Sequence, residues 1–209
     1  FPFYRNHRPL HSYVEAFGWI LRALTARYEK ASSKRTVEAV RELKYFVAPL
    51  QLNSDYQIRV HSPFGDMRAA LRFMVKSFAK AAPANTHLLV KRHPLDAGLV
   101  PWRRITQTLA FKYNVPDRVH YVSDADIVDV LERAEGTVMV NSTVGTLALN
   151  SGIPVAVLGH AIYDVDGVVH RGALEDCWTN PISPDPELWD AVRRVVIARS
   201  LIRGSFLGE

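Results

Sequence analysis

From about residue 45 onward, short apolar runs alternate with stretches whose apolar side chains recur every three to four positions. The run at 45–50 predicts a buried strand that stops near Pro49, because proline removes a ladder donor. Runs at 87–91, 119–122, 137–140 and 154–158 predict four more strands, and Pro94 stops the first of these. Asp66 is placed to cap a helix over 67–82, with Leu71, Met74, Val75 and Phe78 on one face. Further helices are predicted over 102–113, over 126–134 with Gly136 ending it, over 143–150 with Gly152 as a left-handed stop, and over 186–203. Five short apolar strands separated by helices predict an α/β fold with a doubly wound parallel sheet.

The first 44 residues have a different pattern. Tyr13, Phe17, Ile20, Leu24 and Tyr28 recur at helical spacing, with Arg22, Arg27 and Lys30 largely off that stripe, which predicts a helix over 11–31. The small polar segment 31–35 reads as a loop between two helices or as a helix end. The stripe is expected to pack on a core and leave a solvated basic face. The sharper reading of the same residues is contact with lipid headgroups.

Charge separates the two parts as well. The chain of 209 residues carries a net charge of +5. Residues 1–45 hold nine Lys/Arg against four Asp/Glu, whereas 46–209 hold seventeen of each. A basic end fits nucleic acid, an anionic membrane surface or an anionic substrate. No helix-turn-helix, zinc-finger or RNA-binding signature accompanies it, so nucleic acid is not an expected partner. The composition, 48% hydrophobic and 22% charged, is that of a globular chain of one to one and a half domains. No run of about 18 uncharged apolar residues occurs. The single cysteine, Cys177, allows neither an internal disulfide nor a cysteine-based zinc site and fits a reducing compartment. The chain begins at Phe1 and not at methionine, as a fragment or a processed product would.

In a doubly wound sheet, ligands bind at the carboxyl ends of the strands. Those ends are polar or glycine nearly throughout: Gln51 to Asp55, then Arg92, His93 and Pro94, then Ser123 and Asp124, then Asn141, Ser142, Thr143 and Gly145, then Gly159 and His160. The hydroxyls and amides at 141–145 open a helix, where phosphate is favoured, although serine and threonine are also ordinary caps. Lys91, Arg92 and His93 place three potential cations at one strand end. His93, held extended by Pro94, can donate to a phosphate or protonate a leaving group, or can be satisfied locally. Asp55 reads as a turn aspartate bonded to its own backbone, or as a general base where it faces the crevice. The loop 159–164, with Tyr163, can close over a ligand or form an ordinary surface turn. The chain has no GxGxxG or Walker loop, no His-Glu-x-x-His zinc motif and no GxSxG elbow, and Asp164 and Asp166 lie in a loop too short for an EF-hand. No metal site is expected.

Taken together, these residues resemble the capsule polysaccharide biosynthesis family, in particular the glycosyltransferases that add β-linked 3-deoxy-manno-octulosonic acid (Kdo) to a lipid acceptor. The likeness runs in order through residues 3–8, 49–55, 91–94, 121–124, 141–145 and 158–164. It implies a GT-B architecture, of which this chain has the C-terminal Rossmann-like domain and an N-terminal helical segment. The expected division is a basic helical segment at 1–44, a nucleotide-sugar-binding domain at 45–185 and a C-terminal helix at 186–209. The resemblance further implies CMP-Kdo as donor substrate, no cofactor and no metal. Partners would be a lipid acceptor at the inner membrane surface and other capsule proteins, with the chain cytoplasmic and peripheral to that membrane. By the same resemblance, His93 binds the donor phosphate and aids its departure, Ser142 and Thr143 bind it from the helix start, and Asp55 is the base. Lys91, Arg92, Pro94, Asn141, Gly145, Ser123 and Gly159 would line the donor site, and Gln51 and Tyr163 would belong to the acceptor side or its loop. Two other readings stay open. One is a UDP-sugar GT-B enzyme, such as a 2-epimerase or hexosyltransferase, which would carry a ribose-gripping glutamate for which Glu175 is the first candidate. The other is a non-catalytic nucleotide-binding or membrane-docking half.

Overall fold

The computed structural model describes residues 12–200. Five parallel strands, β1 (Lys44–Pro49), β2 (Thr86–Lys91), β3 (Val119–Val122), β4 (Gly136–Met139) and β5 (Val155–Val157), form one sheet in the order β3-β2-β1-β4-β5. The chain moves outward from β1 to β3 and then returns to β4 on the other side, so the order reverses between β1 and β4. That seam is the switch point where such sheets open a crevice. The pairing is longest between β1 and β2, from Lys44 opposite Thr86 to Pro49 opposite Lys91.

Side chains alternate across each strand, so β1 feeds two cores. Phe46 and Ala48 pack against α3 (Met67–Ala81), α4 (Trp102–Lys112) and α7 (Leu174–Thr179). Tyr45 and Val47 pack against α5 (Ile127–Leu131), α6 (Val144–Asn150) and α8 (Pro186–Ser200). Each large side chain so buried contributes about 1.5–3 kcal/mol. Trp178 stands edge-on to Phe46 and Phe78, at centroid distances of 5.0 and 5.4 Å, and donates from Nε1 to Ser77. Cys177 lies beside it, and burial pushes its thiol up to about 12, which leaves it inert. Asp66 caps α3 as predicted, accepting from the Ala69 N–H at 2.7 Å. The short helices α2 (Tyr56–Arg59) and α7 lack the length that periodicity needs, and the pattern does not reveal them.

Two expectations for the amino-terminal segment are corrected. The helix α1 runs unbroken through Ser12–Val40, so the polar segment 31–35 is neither a loop nor an end. Ser33 is buried there, and its hydroxyl accepts the backbone N–H groups of Ser123 and Asp124, both at 3.1 Å, where β3 ends. The stripe of Phe17, Ile20, Leu24 and Tyr28 does not pack on the core of this chain either. Over residues 18–33 the inward face is instead the polar one, while Val37 and Val40 at the end of the helix do pack into the core. Arg22 donates to the carbonyls of Pro94 and Asp96, and Glu29 pairs with Arg92. Gly18 lies so close that a Cβ would stand 2.7 Å from the Ala97 carbonyl. At the other end, α8 is pinned by Trp189, which is buried and donates to Asn150.

Replacing Ser33 with alanine strands the buried Ser123 N–H and removes the partner of the partly buried Asp124 N–H, at a cost of about 1–3 kcal/mol. At about 2–4 °C per kcal/mol for a chain of this size, the thermal midpoint of S33A falls by several degrees. An unchanged midpoint in calorimetry would contradict the anchoring role.

Candidate functional site

The seam between β1 and β4 is closed by two amides. Gln51, just past β1, donates from Nε2 to Asn141 Oδ1 at 2.9 Å and accepts the Asn141 N–H at 3.1 Å. The Asn141 amide continues to the carbonyls of Gln57 (2.9 Å) and His61 (3.2 Å). His61 also accepts from the His160 N–H at 3.1 Å, so one chain of hydrogen bonds links the ends of β1, β4 and β5. Both Gln51 and Asn141 are buried. They hold the floor of the crevice, which is a different placement from a contact at its rim.

The turn after β4 is held from below. Ser142 Oγ accepts the Val144 N–H at 3.2 Å, whereas Thr143 is exposed at the helix start with no side-chain cap bond. Tyr163 is buried, and its hydroxyl donates to the Ser142 carbonyl and lies 3.4 Å from Met139 Sδ. Burial raises that hydroxyl well above its ordinary value, so it remains a donor. Gly145 leaves room for this ring: a Cβ there would overlap the Tyr163 hydroxyl and Cζ. Gly159 has a similar reason. Its N–H donates to Val140 at 2.8 Å, and a Cβ would stand 2.9 Å from the His61 carbonyl. Tyr163 and Gly159 thus fix the frame on which the 141–145 turn rests.

Across the seam, the end of β2 carries the cations. Arg92 is buried and gripped at both guanidinium tips by Glu29, at 3.3 and 2.5 Å, with Nε buried and unpartnered among the described residues. Lys91 is buried too. Burial lowers its pKa first of all, the carboxylates of Asp126 and Asp124 oppose that shift, and its Nζ lies 3.5 Å from the Arg92 carbonyl. His93 is half-buried, and its Nδ1 accepts the Leu95 N–H at 3.1 Å. In the neutral ring the proton is therefore on Nε2, which has no acceptor among the described residues. Burial, and then the Lys91 ammonium, push His93 below the ordinary histidine value, while Asp96 and Asp55 partly oppose them. The ring is thus neutral at neutral pH, with a preset donor. Pro94 is exposed, and its carbonyl takes Arg22.

Asp55 caps α2, with Oδ1 accepting the Gln57 N–H at 2.9 Å. That is the turn role predicted for it, and it leaves Oδ2 without a hydrogen bond among the described residues. The Asp55 carboxylate opposes, more weakly than Asp96, the lowering of the His93 pKa. Ser123 is buried against Ser33, with its hydroxyl 3.3 Å from the Ser33 hydroxyl, and so lies under α1. Glu175 pairs with Lys80 at 3.4 Å. Lys80 is in the last turn of α3, near where β2 begins, so this pair sits toward the amino ends of the strands, away from the crevice at their carboxyl ends. Two cavities flank the seam. One of about 350 Å³ lies between α1 and the loops after β1 and β2, lined by Trp19, Asn53, Ser54, Leu95 and Leu99. The other, about 360 Å³, lies at the β5 end, lined by Val60, Ser62, Leu158, Gly159, His160 and Asp164. Among the described residues no group of three or more His, Cys, Asp or Glu is placed to hold a metal ion.

The chain as a whole is similar to known proteins. The family model described as "Capsule polysaccharide biosynthesis protein" matches residues 1–207. The chain belongs to this family. It is 34% identical over 213 residues to the capsule polysaccharide modification protein LipB of Neisseria meningitidis serogroup A, covering 100% of this chain and 51% of that protein. It is 30% identical over 209 residues to the capsule polysaccharide export protein KpsS of Escherichia coli, covering 99% of this chain and 54% of that protein. The chain therefore spans about half the length of these relatives. Among solved structures it is similar to KpsC of Thermosulfurimonas dismutans, titled a beta Kdo 2,7 transferase, at 19% identity and a TM-score of 0.46, over 83% of this chain and 63% of that one.

Sequence reasoning found the strand-end residues of this family member but not what holds them: Glu29 on Arg92, Tyr163 under Ser142, and the His61 carbonyl. The spacing of Gly18, Arg22, Glu29 and Ser33 carries a signal for the first of these, since they share one helical face. Replacing Gly145 with alanine forces the turn off Tyr163, at a cost of about 1–3 kcal/mol. Adding Tyr163→Phe removes the nearest atom, so the double variant regains part of that loss in denaturant unfolding. Strictly additive losses would contradict the contact.

Proposed function

We propose that this chain holds the donor side of a glycosyltransferase that moves Kdo from CMP-Kdo to a lipid-linked acceptor in capsular polysaccharide synthesis. One observation carries the reading. His93 presents Nε2–H as a preset donor at the end of β2, with Nδ1 fixed by the Leu95 N–H, beside Lys91 and within the field of Asp55. A departing phosphate is stabilised by such a preorganised donor, and removing one costs about 2.7–4 kcal/mol in comparable sites. Family membership supports the setting, and the relatives' names place them in capsule modification and export.

In this reaction an acceptor hydroxyl attacks the anomeric carbon of Kdo. The bond from that carbon to the CMP phosphate oxygen breaks, its electron pair leaves with CMP, and the hydroxyl proton goes to a base. Asp55 is that base: Oδ1 is spent on the α2 cap, and Oδ2 takes the proton. His93 donates to the phosphate, Lys91 adds charge, and the exposed Thr143 hydroxyl joins from across the seam. Arg92, Gln51, Asn141, Gly145, Gly159 and Tyr163 hold these groups in place. The phosphate charge is met by these residues without a metal. The acceptor is presented at the cytoplasmic face of the inner membrane.

Titration calorimetry with CMP, and with UDP and AMP as controls, tests the reading. The chain binds CMP selectively, H93A weakens that binding at least tenfold, and Asp55→Asn keeps CMP binding while Kdo transfer is lost. Equal heats for the three nucleotides, or unchanged CMP binding in H93A, would contradict it.

A further inference from the structure

Between residues 17 and 33 the helix α1 turns polar side chains inward and apolar ones outward. Its polar residues Arg22, Glu29 and Ser33, spaced seven and four apart, face the sheet and are spent there. On the opposite side stand Phe17, Ile20, Leu21, Leu24 and Tyr28, spaced to form one continuous face. That face is open: Leu24 is 77% exposed, Tyr28 73%, Ile20 59% and Phe17 57%. A contiguous apolar strip of this kind marks an interaction surface. Its border identifies the partner. Arg27, Lys30, Lys34 and Arg35 are exposed along the same helix, and Arg27, Lys30 and Arg35 have no acidic partner among the described residues. The whole excess charge of the chain lies within its first 45 residues. Cores of protein interfaces are depleted in lysine, whereas a helix lying in a lipid interface has an apolar face edged by Lys and Arg, with aromatic rings at the boundary. Among the described residues no helix is long and apolar enough to cross a membrane.

We infer that the outer face of α1 docks the chain onto an anionic lipid bilayer, with Phe17, Ile20, Leu21, Leu24 and Tyr28 entering the headgroup boundary and Arg27, Lys30, Lys34 and Arg35 meeting the lipid charge. This deepens the reading of a membrane-presented acceptor by naming the docking surface, yet it stands on α1 alone. Because Arg22 and Glu29 tie α1 to the loop after β2, docking also sets the distance between the bilayer and His93.

The test is flotation of the 209-residue chain with vesicles of phosphatidylglycerol and phosphatidylcholine, and with phosphatidylcholine alone. The chain binds the phosphatidylglycerol vesicles, and added salt weakens that binding. L24E and the pair R27E/K30E each lower vesicle affinity by about tenfold. Their circular dichroism stays that of the parent, because these side chains are exposed. CMP binding is measured on the same proteins. A chain that docks without binding CMP overturns the donor reading alone, and one that binds CMP without docking overturns this proposal alone. Vesicle binding indifferent to phosphatidylglycerol, or unchanged in L24E, overturns it. So does a dimer that L24E dissociates in a chain that ignores vesicles, because the face would then belong to a second copy.

Discussion

The amide pair between Gln51 and Asn141 is the constraint on which the crevice depends. Parallel strands that meet at a switch point have no crossover of their own to hold their ends at a fixed separation, and β1 and β4 share only a short ladder. Two side chains complete it: each amide uses both its donor and its acceptor, and Asn141 reaches on to the Gln57 and His61 carbonyls. Buried amides are costly unless fully satisfied, and these are satisfied by one another. The segment over the crevice, the turn at 141–145 and the loop after β5 are thus fixed in one arrangement before any ligand arrives. Tyr163 and Gly145 add the second lock, from beneath the turn.

The opposite wall is set by α1. Glu29 neutralises a buried Arg92, and removing one partner of such a pair commonly costs about 3–5 kcal/mol. Arg22 meanwhile fixes the carbonyls at 94 and 96. His93 lies between these anchors, so its ring is oriented by the backbone around it as much as by its own rotamer. The helix that orients His93 is also the one with the exposed apolar face, which couples the orientation of the crevice to whatever covers that face.

The parallel sheet was legible in the sequence because apolar runs such as 45–50 and 87–91 are buried on both faces and short, while residues 67–81 show a clear helical period. The strand-end residues were legible for the same topological reason. Their individual work was not. Gln51, Asn141 and Ser123 are the polar residues expected at strand ends, yet whether such a residue meets a ligand or another strand end depends on contacts between residues some ninety positions apart. The direction of α1 was misread because its apolar stripe is the stronger pattern. The inward face is specified by hydrogen bonds from Arg22, Glu29 and Ser33, which hydrophobic periodicity does not register.

The measurement that tests the central claim most directly is a crystal structure of the chain with CMP bound. The account predicts the CMP phosphate within hydrogen-bond distance of His93 Nε2, at the ends of β1, β2 and β4, with the Gln51–Asn141 pair undisturbed. A nucleotide bound elsewhere, or a phosphate held without His93, would contradict it.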